Sequence, residues 1–389
     1  MHVSSLYGEY GIGSFGKEAR EFIDFLAESG FSLWQTLPFC MPDECNSPYK
    51  SYSAFGANPY FIDLPTLYEK GYLTEEELLS AKQKTPYLCE YEKLKKERFP
   101  LISLAASRAA ADKELCKRID LFLAEHEQLL RAAEFLALRE ANAGTPWQTW
   151  TVKSADPDTL FAWKFIQYEF FTEWQAVKTY ANSRGIKIIG DLPIYVALDS
   201  ADVWANPDDF MLDSKGYPTN VAGVPPDYFS EDGQLWGNPL YNWRKMKDNG
   251  YSFWKSRMEY MLTLFDGVRI DHFRAFESFW SIPANAESAK AGRWALSYVT
   301  VPIEGTKRRQ KHIRILGTFY PTFPEDHLPA SQVCPLLILR LASISVLCYL
   351  SVGLHFPRNF RGMPHTDLGY VSHSLHREAA PKGGDYVDF

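Results

Sequence analysis

The apolar and polar positions of the first 294 residues alternate between helical spacing and short unbroken apolar runs. Apolar residues recur on one face of a helix predicted over Lys17–Ser29, and Gly30 is a typical C-terminal stop. The run that follows, Phe31–Pro38, predicts a buried strand. The same patterns return later and predict two further strands and a helix, at Ile186–Ile189, Gly267–Ile270 and Tyr251–Phe265. Helices alternating with short apolar strands are typical of a parallel α/β architecture.

Two long segments interrupt this alternation. Residues 65–184 are rich in Leu, Ala, Glu and Lys, and their spacing predicts a helical insertion. Residues from about 200 to 245 are rich in Pro, Gly, Asn, Asp and Trp, which predicts a long structured excursion. The stretches 1–64 and 185–294 then form the α/β unit itself.

The chain changes character after Trp294. All eleven tryptophans lie at or before this residue, whereas six of the nine histidines follow it. The longest apolar run beyond it, Leu336–Leu354, is interrupted by Arg340, and a membrane-spanning helix needs about 20 apolar residues. Residues 295–389 are therefore a separate tail, and we do not expect a membrane span in it.

Charge and motif content exclude several classes of function. Lys and Arg total 41 against 48 Asp and Glu, and a net charge of −7 argues against nucleic-acid binding. The six cysteines form no close pair, which argues against a disulfide scaffold or a zinc ribbon. No phosphate-loop, dinucleotide-binding or HExxH motif occurs, so we expect neither cofactor nor metal. The N-terminus lacks the pattern of a secretory signal, and we expect a cytoplasmic location.

Two aspartates lie where predicted strands end, which is the edge that carries functional residues in parallel α/β barrels. Asp191 follows the strand predicted at Ile186–Ile189, and Asp271 follows the strand predicted at Gly267–Ile270. Arg269 shares a face with Asp271, favours its ionised form and leaves it suited to nucleophilic attack. A purely structural ion pair is the alternative, and His272 alone is more often structural than catalytic.

Aromatic and polar loops accompany these aspartates. Ser47 and Tyr49 lie in a turn after the Phe31–Pro38 strand, and Asp227 and Trp236 lie in the excursion. Aromatic residues make up 15% of the chain, and rings beside polar groups suit a carbohydrate, which offers apolar faces and hydroxyls. Rigid, proline-braced loops with no ligand are the alternative interpretation.

Several long stretches, taken together, resemble the 4-α-glucanotransferases of the amylomaltase (disproportionating enzyme) family. They include HVSSLYGEYGIGSFG, NSPYKSYSAFGANPYFIDL, GIKIIGDLPIYVALDSADVWANP, AGVPPDYFSEDGQLWGNPLYNW and FDGVRIDHFRAFESFW. They follow the family's order and cover nearly all of residues 2–294. The resemblance implies an α/β fold of the (β/α)8 TIM-barrel type with large helical insertions, incomplete in its C-terminal half. Residues 1–64 and 185–294 would form the partial barrel.

The resemblance also implies a chemistry. Enzymes of this family transfer a segment of an α-1,4-glucan to an acceptor sugar by a retaining double displacement. Asp271 matches the family's nucleophile, and the positions that match its substrate-binding residues are Ser47, Tyr49, Asp191, Asp227, Trp236, Arg269 and His272. A retaining mechanism needs a second carboxyl group, about 5–5.5 Å from the first, that acts as acid and then as base.

The resemblance does not supply that acid/base residue. The family carries it in a motif like IIAEDLG, followed by a motif like GTHDN, and neither occurs after Trp294. Glu304, Glu325 and Glu378 are the only glutamates there, and His365-Thr366-Asp367 only echoes the second motif. Either the tail is translated out of frame, or it is a genuine divergent end. A half barrel exposes apolar surface and open sheet edges, so we expect instability and little or no turnover.

Three functions remain open at this point. The first is a 4-α-glucanotransferase that takes an α-1,4-glucan donor and a sugar acceptor. The second is an α-glucan hydrolase. The third is a non-catalytic glucan-binding remnant that uses the surfaces of Tyr49, Asp227 and Trp236. The oligomeric state cannot be read from the sequence.

Overall fold

The computed structural model describes residues 1–43 and 45–297, together with the backbone of two strands at 336–341 and 344–349. The helices in these residues are α1 Lys17–Glu28, α2 Leu64–Glu69, α3 Glu75–Ser80, α4 Tyr91–Ala109, α5 Lys113–Glu125, α6 Glu127–Ala141, α7 Pro157–Ser183, α8 Ala201–Ala205, α9 Trp243–Asp248 and α10 Ser252–Leu264. The strands are β1 Leu33–Gln35, β2 Lys187–Leu192, β3 Asn220–Val224, β4 Gln234–Pro239, β5 Gly267–Ile270, β6 Ser278–Pro283, β7 Arg293–Leu296, β8 Leu336–Leu341 and β9 Ile344–Tyr349.

Most predicted elements are present. Helices α1 and α10 match their predictions within a residue at each end, and β5 matches at both ends. Gly30 adopts a left-handed backbone with φ of 78°, which is why the first helix ends there. Strand β2 is longer than predicted, since its ladder to β5 continues through Asp191 to Leu192.

The strand predicted over Phe31–Pro38 is largely wrong. Only Leu33–Gln35 is a strand, and Trp34 is its one buried side chain. Phe31 and Leu33 are both more than half exposed. An apolar run predicts burial only where another layer covers both faces of the strand, and one face of this strand is open.

The segment predicted as a helical insertion holds α2 to α7. Within it, α5 and α6 are separate helices, because the backbone at His126 leaves the helical region between them. The 27-residue α7 then returns the chain to the sheet.

Strands β1, β2 and β5 form a parallel sheet in that order. The excursion holds an antiparallel hairpin, β3–β4, which joins β6 and β7 in a second sheet with the order β4-β3-β6-β7. In the tail, β8 and β9 pair as an antiparallel hairpin within the apolar run, and β9 lies alongside β5. Within the part of the chain that the structure describes, no helix is long and apolar enough to cross a membrane.

The parallel sheet has two unlike faces. Trp34, Ile188 and Val268 point to one face and are buried against the helices. Side chains alternate along a strand, so Leu33, Ile189, Asp191 and Arg269 share the other face. Leu33 is 54% exposed on this face, which we call the open face, although Asp191 on the same face is 1% exposed.

Trp174 of α7 is the centre of the core on the covered face. Its ring lies 4.6 Å from that of Phe39, perpendicular to it, and 5.7 Å from that of Phe265. Its indole N–H donates to the carbonyl oxygen of Leu264 at 2.8 Å. The side chain is fully buried, so α7 packs against residues that flank both outer strands of the parallel sheet, β1 and β5.

Trp174→Ala should therefore lower the free energy of unfolding by about 3–5 kcal/mol, because it removes a fully buried aromatic side chain and leaves a cavity. Urea denaturation followed by circular dichroism measures this loss. Trp174→Phe keeps most of the ring contacts and should lose about half as much. Leu121→Ala, at a 68% exposed position of α5, is the control and should change stability little. An equal effect of the three changes would contradict this account of the core.

A buried carboxyl joins the loops that follow β1 and β2. Asp202 is 4% exposed and accepts a 2.7 Å hydrogen bond from the backbone N–H of Ala54. Burial raises the pKa of Asp202 to about 6, although the Ala54 amide and the charge of Arg257 act in the opposite direction. The folded state therefore binds this proton more tightly than the unfolded state does.

Stability should consequently fall as the pH rises from about 4 to about 6, because a raised folded-state pKa favours folding only while the group stays protonated. Chemical denaturation at pH steps through this window measures the fall. Asp202→Asn has the same size and no proton to lose, so its stability should change less with pH. If wild type and Asp202→Asn follow parallel curves, Asp202 is not the group responsible.

Candidate active site

The two predicted carboxylates meet at the carboxyl ends of neighbouring parallel strands. Asp191 of β2 lies directly opposite Arg269 of β5 in the ladder. Asp271 follows β5, and its backbone N–H continues the ladder by donating to the carbonyl oxygen of Leu192 at 3.0 Å. This register places Asp191, Arg269 and Asp271 side by side.

Arg269 holds both carboxylates at once. Its Nη1 donates to Oδ2 of Asp191, and its Nη2 donates to Oδ1 of Asp271, each at 2.6 Å. A planar guanidinium presents its donors in a fixed fork, so one side chain sets the relative position of two acids. The arrangement keeps two like charges close together by placing a cation between them.

The turn that carries Ser47 and Tyr49 reaches the same place. The hydroxyl of Tyr49 donates to Oδ2 of Asp191 at 2.7 Å, across 142 residues of sequence. The Ser47 hydroxyl accepts from the backbone N–H of Tyr49 at 3.3 Å and so fastens the turn. In this structure Ser47 shapes the loop that presents Tyr49, and its predicted contact with a sugar stays a prediction.

The two aspartates differ in access to solvent. The Asp191 side chain is 1% exposed, whereas that of Asp271 is 39% exposed. Both hydrogen bonds to Asp191 go to Oδ2, and its Oδ1 is buried with no hydrogen-bond partner in the structure. Asp271 can therefore meet a substrate atom, while Asp191 is enclosed and organises its neighbours.

The pKa shifts follow from this enclosure. Burial raises the pKa of Asp191, and it outweighs the opposing hydrogen bond from Tyr49 and the charge of Arg269. The pKa of Tyr49 is also raised, first by burial and then by its hydrogen bond to Asp191. Burial lowers the pKa of Arg269, but the two carboxylates more than compensate, so its net pKa is raised.

His272 and Trp236 form the wall beside Asp271. Their ring centroids are 5.0 Å apart in a T-shaped contact. The backbone of His272 is left-handed, with φ of 47°, so the chain turns sharply after Asp271. Burial lowers the pKa of His272, Arg274 adds to this, and Asp271 opposes it. A neutral imidazole with polar nitrogen atoms can then contact a ligand.

Asp227 lies at a different place from the other site residues. It occupies the tip of the β3–β4 hairpin, where its Oδ1 accepts from the backbone N–H groups of Phe229 and Ser230 at 2.9 and 2.8 Å. Its neighbour Tyr228 is 97% exposed. The structure therefore gives Asp227 a role in its own turn and does not bring it to the Arg269 cluster.

Sequence reasoning missed Tyr195 as a member of the site's surroundings. Its ring lies 6.2 Å from that of Trp236 and is stacked at 5.8 Å on that of Tyr241. Asn238 fastens the same region by donating to the carbonyl oxygen of Val196 at 2.9 Å. The signal was present, because Tyr195 follows the end of β2 in the loop where functional residues of such sheets gather.

No acid/base residue is assigned among the described residues. A retaining pair needs a second accessible carboxyl near the nucleophile, and Asp191, the acid that Arg269 joins to Asp271, is enclosed. Glu304, Glu325, Glu378 and the segment 365–367 lie outside the described residues. Among residues 1–43 and 45–297, no three His, Cys, Asp or Glu side chains are grouped so that they could hold a metal ion.

Residues 1–317 match the family described as 4-alpha-glucanotransferase. The chain belongs to the 4-alpha-glucanotransferase family. It is 43% identical over 343 residues to the 4-alpha-glucanotransferase of Thermus thermophilus, an alignment that covers 84% of this chain and 66% of that protein. The 4-alpha-glucanotransferase of Clostridium butyricum is 41% identical over 314 residues, covering 76% of this chain and 63% of the relative.

The family's solved structures agree with the fold. The amylomaltase from Streptococcus agalactiae in complex with acarbose is 35% identical, with a TM-score of 0.72 over 76% of this chain and 62% of that chain. This likeness confirms the expected (β/α)8-barrel class of fold. The family match extends past Trp294, beyond the stretches of sequence on which the resemblance rests. The chain spans about two thirds of the length of the curated relatives it matches.

Arg269→Gln should destabilise the protein by about 3 kcal/mol, because it leaves the enclosed Asp191 carboxylate without its cation. Asp191→Asn in the same chain should recover most of this loss, since no buried charge then remains. Urea denaturation of the wild type, both single variants and the double variant gives the coupling energy between the two sites. Additive effects would show that the fork does not join these two residues energetically.

Proposed function

We propose that this chain carries the donor-binding and nucleophile side of a 4-α-glucanotransferase site. The observation that carries the proposal is the Arg269 fork, which holds a solvent-accessible Asp271 at the end of a barrel strand beside the enclosed Asp191. In the proposed reaction Asp271 attacks the anomeric carbon of an α-1,4-glucan, and the leaving segment departs with a proton from an acid. The acceptor hydroxyl then gives its proton to the conjugate base of that acid, and its oxygen displaces the Asp271 carboxylate, which restores the original anomeric configuration.

The substrate would be held by the side chains around Asp271. Tyr49, Trp236 and His272 supply ring surfaces and polar atoms that suit a sugar ring and its hydroxyls. Arg269 would keep Asp271 ionised for attack, because an adjacent cation favours the charged form. Asp227 and Ser47 would contact the glucan only if their loops moved or if the sugar reached them at the rim. An α-glucan donor and a sugar acceptor are thus the proposed partners, and no cofactor is needed.

We further propose that the chain as written has little or no turnover. The carboxyl that Arg269 joins to Asp271, that of Asp191, is enclosed and poorly placed to deliver a proton to a leaving sugar. Without a proton donor, departure of a sugar alkoxide is slow, and general acid catalysis typically contributes 10²–10⁴-fold. Glucan binding does not need that proton, so the glucan-binding remnant is the second candidate function.

The tail beyond the family match is the proposed reason. Residues after 317 fall outside the match, and the family motifs expected after Trp294 do not occur in the printed sequence. An out-of-frame translation of the true C-terminal part explains both facts. Resequencing the codons for residues 285–320 and translating all three frames tests this. A shifted frame that encodes an AEDLG-like segment supports it, and a confirmed frame without one favours a genuine divergent end.

A cytoplasmic location is part of the proposal. Fractionation of cells that produce the protein, followed by immunoblotting, checks this.

Acarbose binding and maltotriose conversion separate the candidate functions. Calorimetric titration with acarbose should show binding, and Asp271→Asn should keep the affinity within about tenfold, since the amide is isosteric. Incubation with maltotriose followed by chromatography should show little product. Glucose with longer maltooligosaccharides would identify an active transferase, and glucose with no longer products a hydrolase. Absence of acarbose binding would refute the proposed site.

Asp120→Asn is the matched control for the charge change. Asp120 is an exposed residue of α5 in the insertion, where it pairs with Lys164 at 3.2 Å. It should leave acarbose affinity and any product formation unchanged. An equal effect of Asp120→Asn and Asp271→Asn would assign the change to net charge and not to the site.

A further inference from the structure

The Tyr49–Asp191 contact joins a loop to the end of strand β2, and a second loop continues from that strand. The Tyr49 loop, residues 40–57, follows β1 and is closed by bridges between Cys40 and Ala57 and between Pro42 and Ser51. The Asp191 loop, residues 193–200, follows β2 and leads into α8. Their relative position decides whether the Tyr49 hydroxyl reaches the Asp191 carboxylate.

The helical insertion contacts both loops through one side chain. Arg139, on the last turn of α6, donates from Nε to Oδ2 of Asp199 at 3.0 Å. Its guanidinium carbon also lies 4.1 Å from the ring centroid of Tyr52, in a cation–π contact. Asp199 belongs to the Asp191 loop and Tyr52 to the Tyr49 loop, so Arg139 joins the two from outside the sheet.

Neighbouring contacts make this junction rigid. Asp199 accepts a second hydrogen bond, at 3.2 Å, from the backbone N–H of Trp147, just beyond α6. The Trp147 indole N–H donates to the carbonyl oxygen of Leu198 at 2.9 Å. The backbone N–H of Ala201 donates to the carbonyl oxygen of Tyr52 at 2.8 Å. Arg139 is only 21% exposed in its side chain, so its contacts are partly shielded from solvent.

We propose that Arg139 is a positioning residue, which sets the Tyr49 hydroxyl against Asp191 by fastening Tyr52 and Asp199 to the helical insertion. It touches no substrate in this arrangement and acts through Tyr49. Loss of Arg139 would remove the side-chain part of this junction and leave the backbone hydrogen bond between Ala201 and Tyr52, so the two loops would open more often without separating. Small displacements of a group that orients a binding site reduce its effect strongly. The last step, from loop position to glucan affinity, rests on the proposed function.

Hydrogen exchange tests the fastening without any ligand. Arg139→Gln should speed backbone exchange in peptides from residues 40–57 and 193–203, because the junction that limits their opening is weakened. Arg131→Gln is the matched control, since Arg131 lies on the same helix and makes ion pairs only at the surface, with Glu127 and Glu134. Unchanged exchange in Arg139→Gln, or an equal rise in Arg131→Gln, overturns the proposal.

Acarbose titration tests the consequence. Arg139→Gln should weaken binding by about tenfold, and Arg139→Lys, which keeps a cation and a donor, should restore part of it. In a Tyr49→Phe background the same Arg139→Gln change should cost little, because the hydroxyl that it positions is already absent. Faster exchange with unchanged affinity, or equal losses in both backgrounds, would reduce Arg139 to a structural residue and overturn the proposal. If the wild type binds no acarbose, the proposed function fails. The hydrogen-exchange result then decides by itself whether Arg139 holds the two loops on the helical insertion.

Discussion

The candidate site depends on one guanidinium that holds two carboxylates. Without Arg269, Asp191 would be a buried charge with one hydrogen-bond donor, and Asp271 would face a like charge across the strand ends. Desolvation of an unpaired charge costs several kcal/mol. The cation of Arg269 lowers this cost for both carboxylates, and the carboxylates lower it for Arg269. The unequal exposure of the two acids follows from the same fork. The buried acid anchors the cation, and the cation orients the accessible acid.

Among residues 1–43 and 45–297, the helices that stabilise the sheet presenting the fork pack on its covered face. Helix α7 places Trp174 beneath β1 and β5, and the close approach of Phe265 to Gly190 completes that face. A β-carbon at position 190 would lie 2.2 Å from the Phe265 ring, so glycine is the residue that fits there. This contact lies one residue before Asp191, and it sets the distance between β2 and the Phe265 ring directly beneath the site. Packing on the covered face therefore sets the geometry on the open face.

Much of the site could be predicted because its central residues obey a local rule. The ends of parallel strands share an edge, so two aspartates that each follow a short apolar run are expected to meet there. The contact between Tyr49 and Asp191 spans 142 residues and has no local signature, so the aromatic turn could mark Tyr49 as a candidate but could not give its partner. The strand predicted over Phe31–Pro38 was too long, since an apolar run does not say whether a second layer exists. Most tryptophans proved to be core residues, of which Trp174 and Trp254 are fully buried, and Trp236 is the one that lies beside the site.

The open face of the parallel sheet has a consequence for the life of the protein in a cell. Leu33 and Leu37 lie exposed along the edge strand and the loop after it, and Phe25 and Phe31 are exposed nearby. Chaperones and proteases recognise apolar segments of this kind, and modest losses of stability change protein abundance several-fold. The amount of this chain that accumulates would then be set by quality control more than by its rate of synthesis.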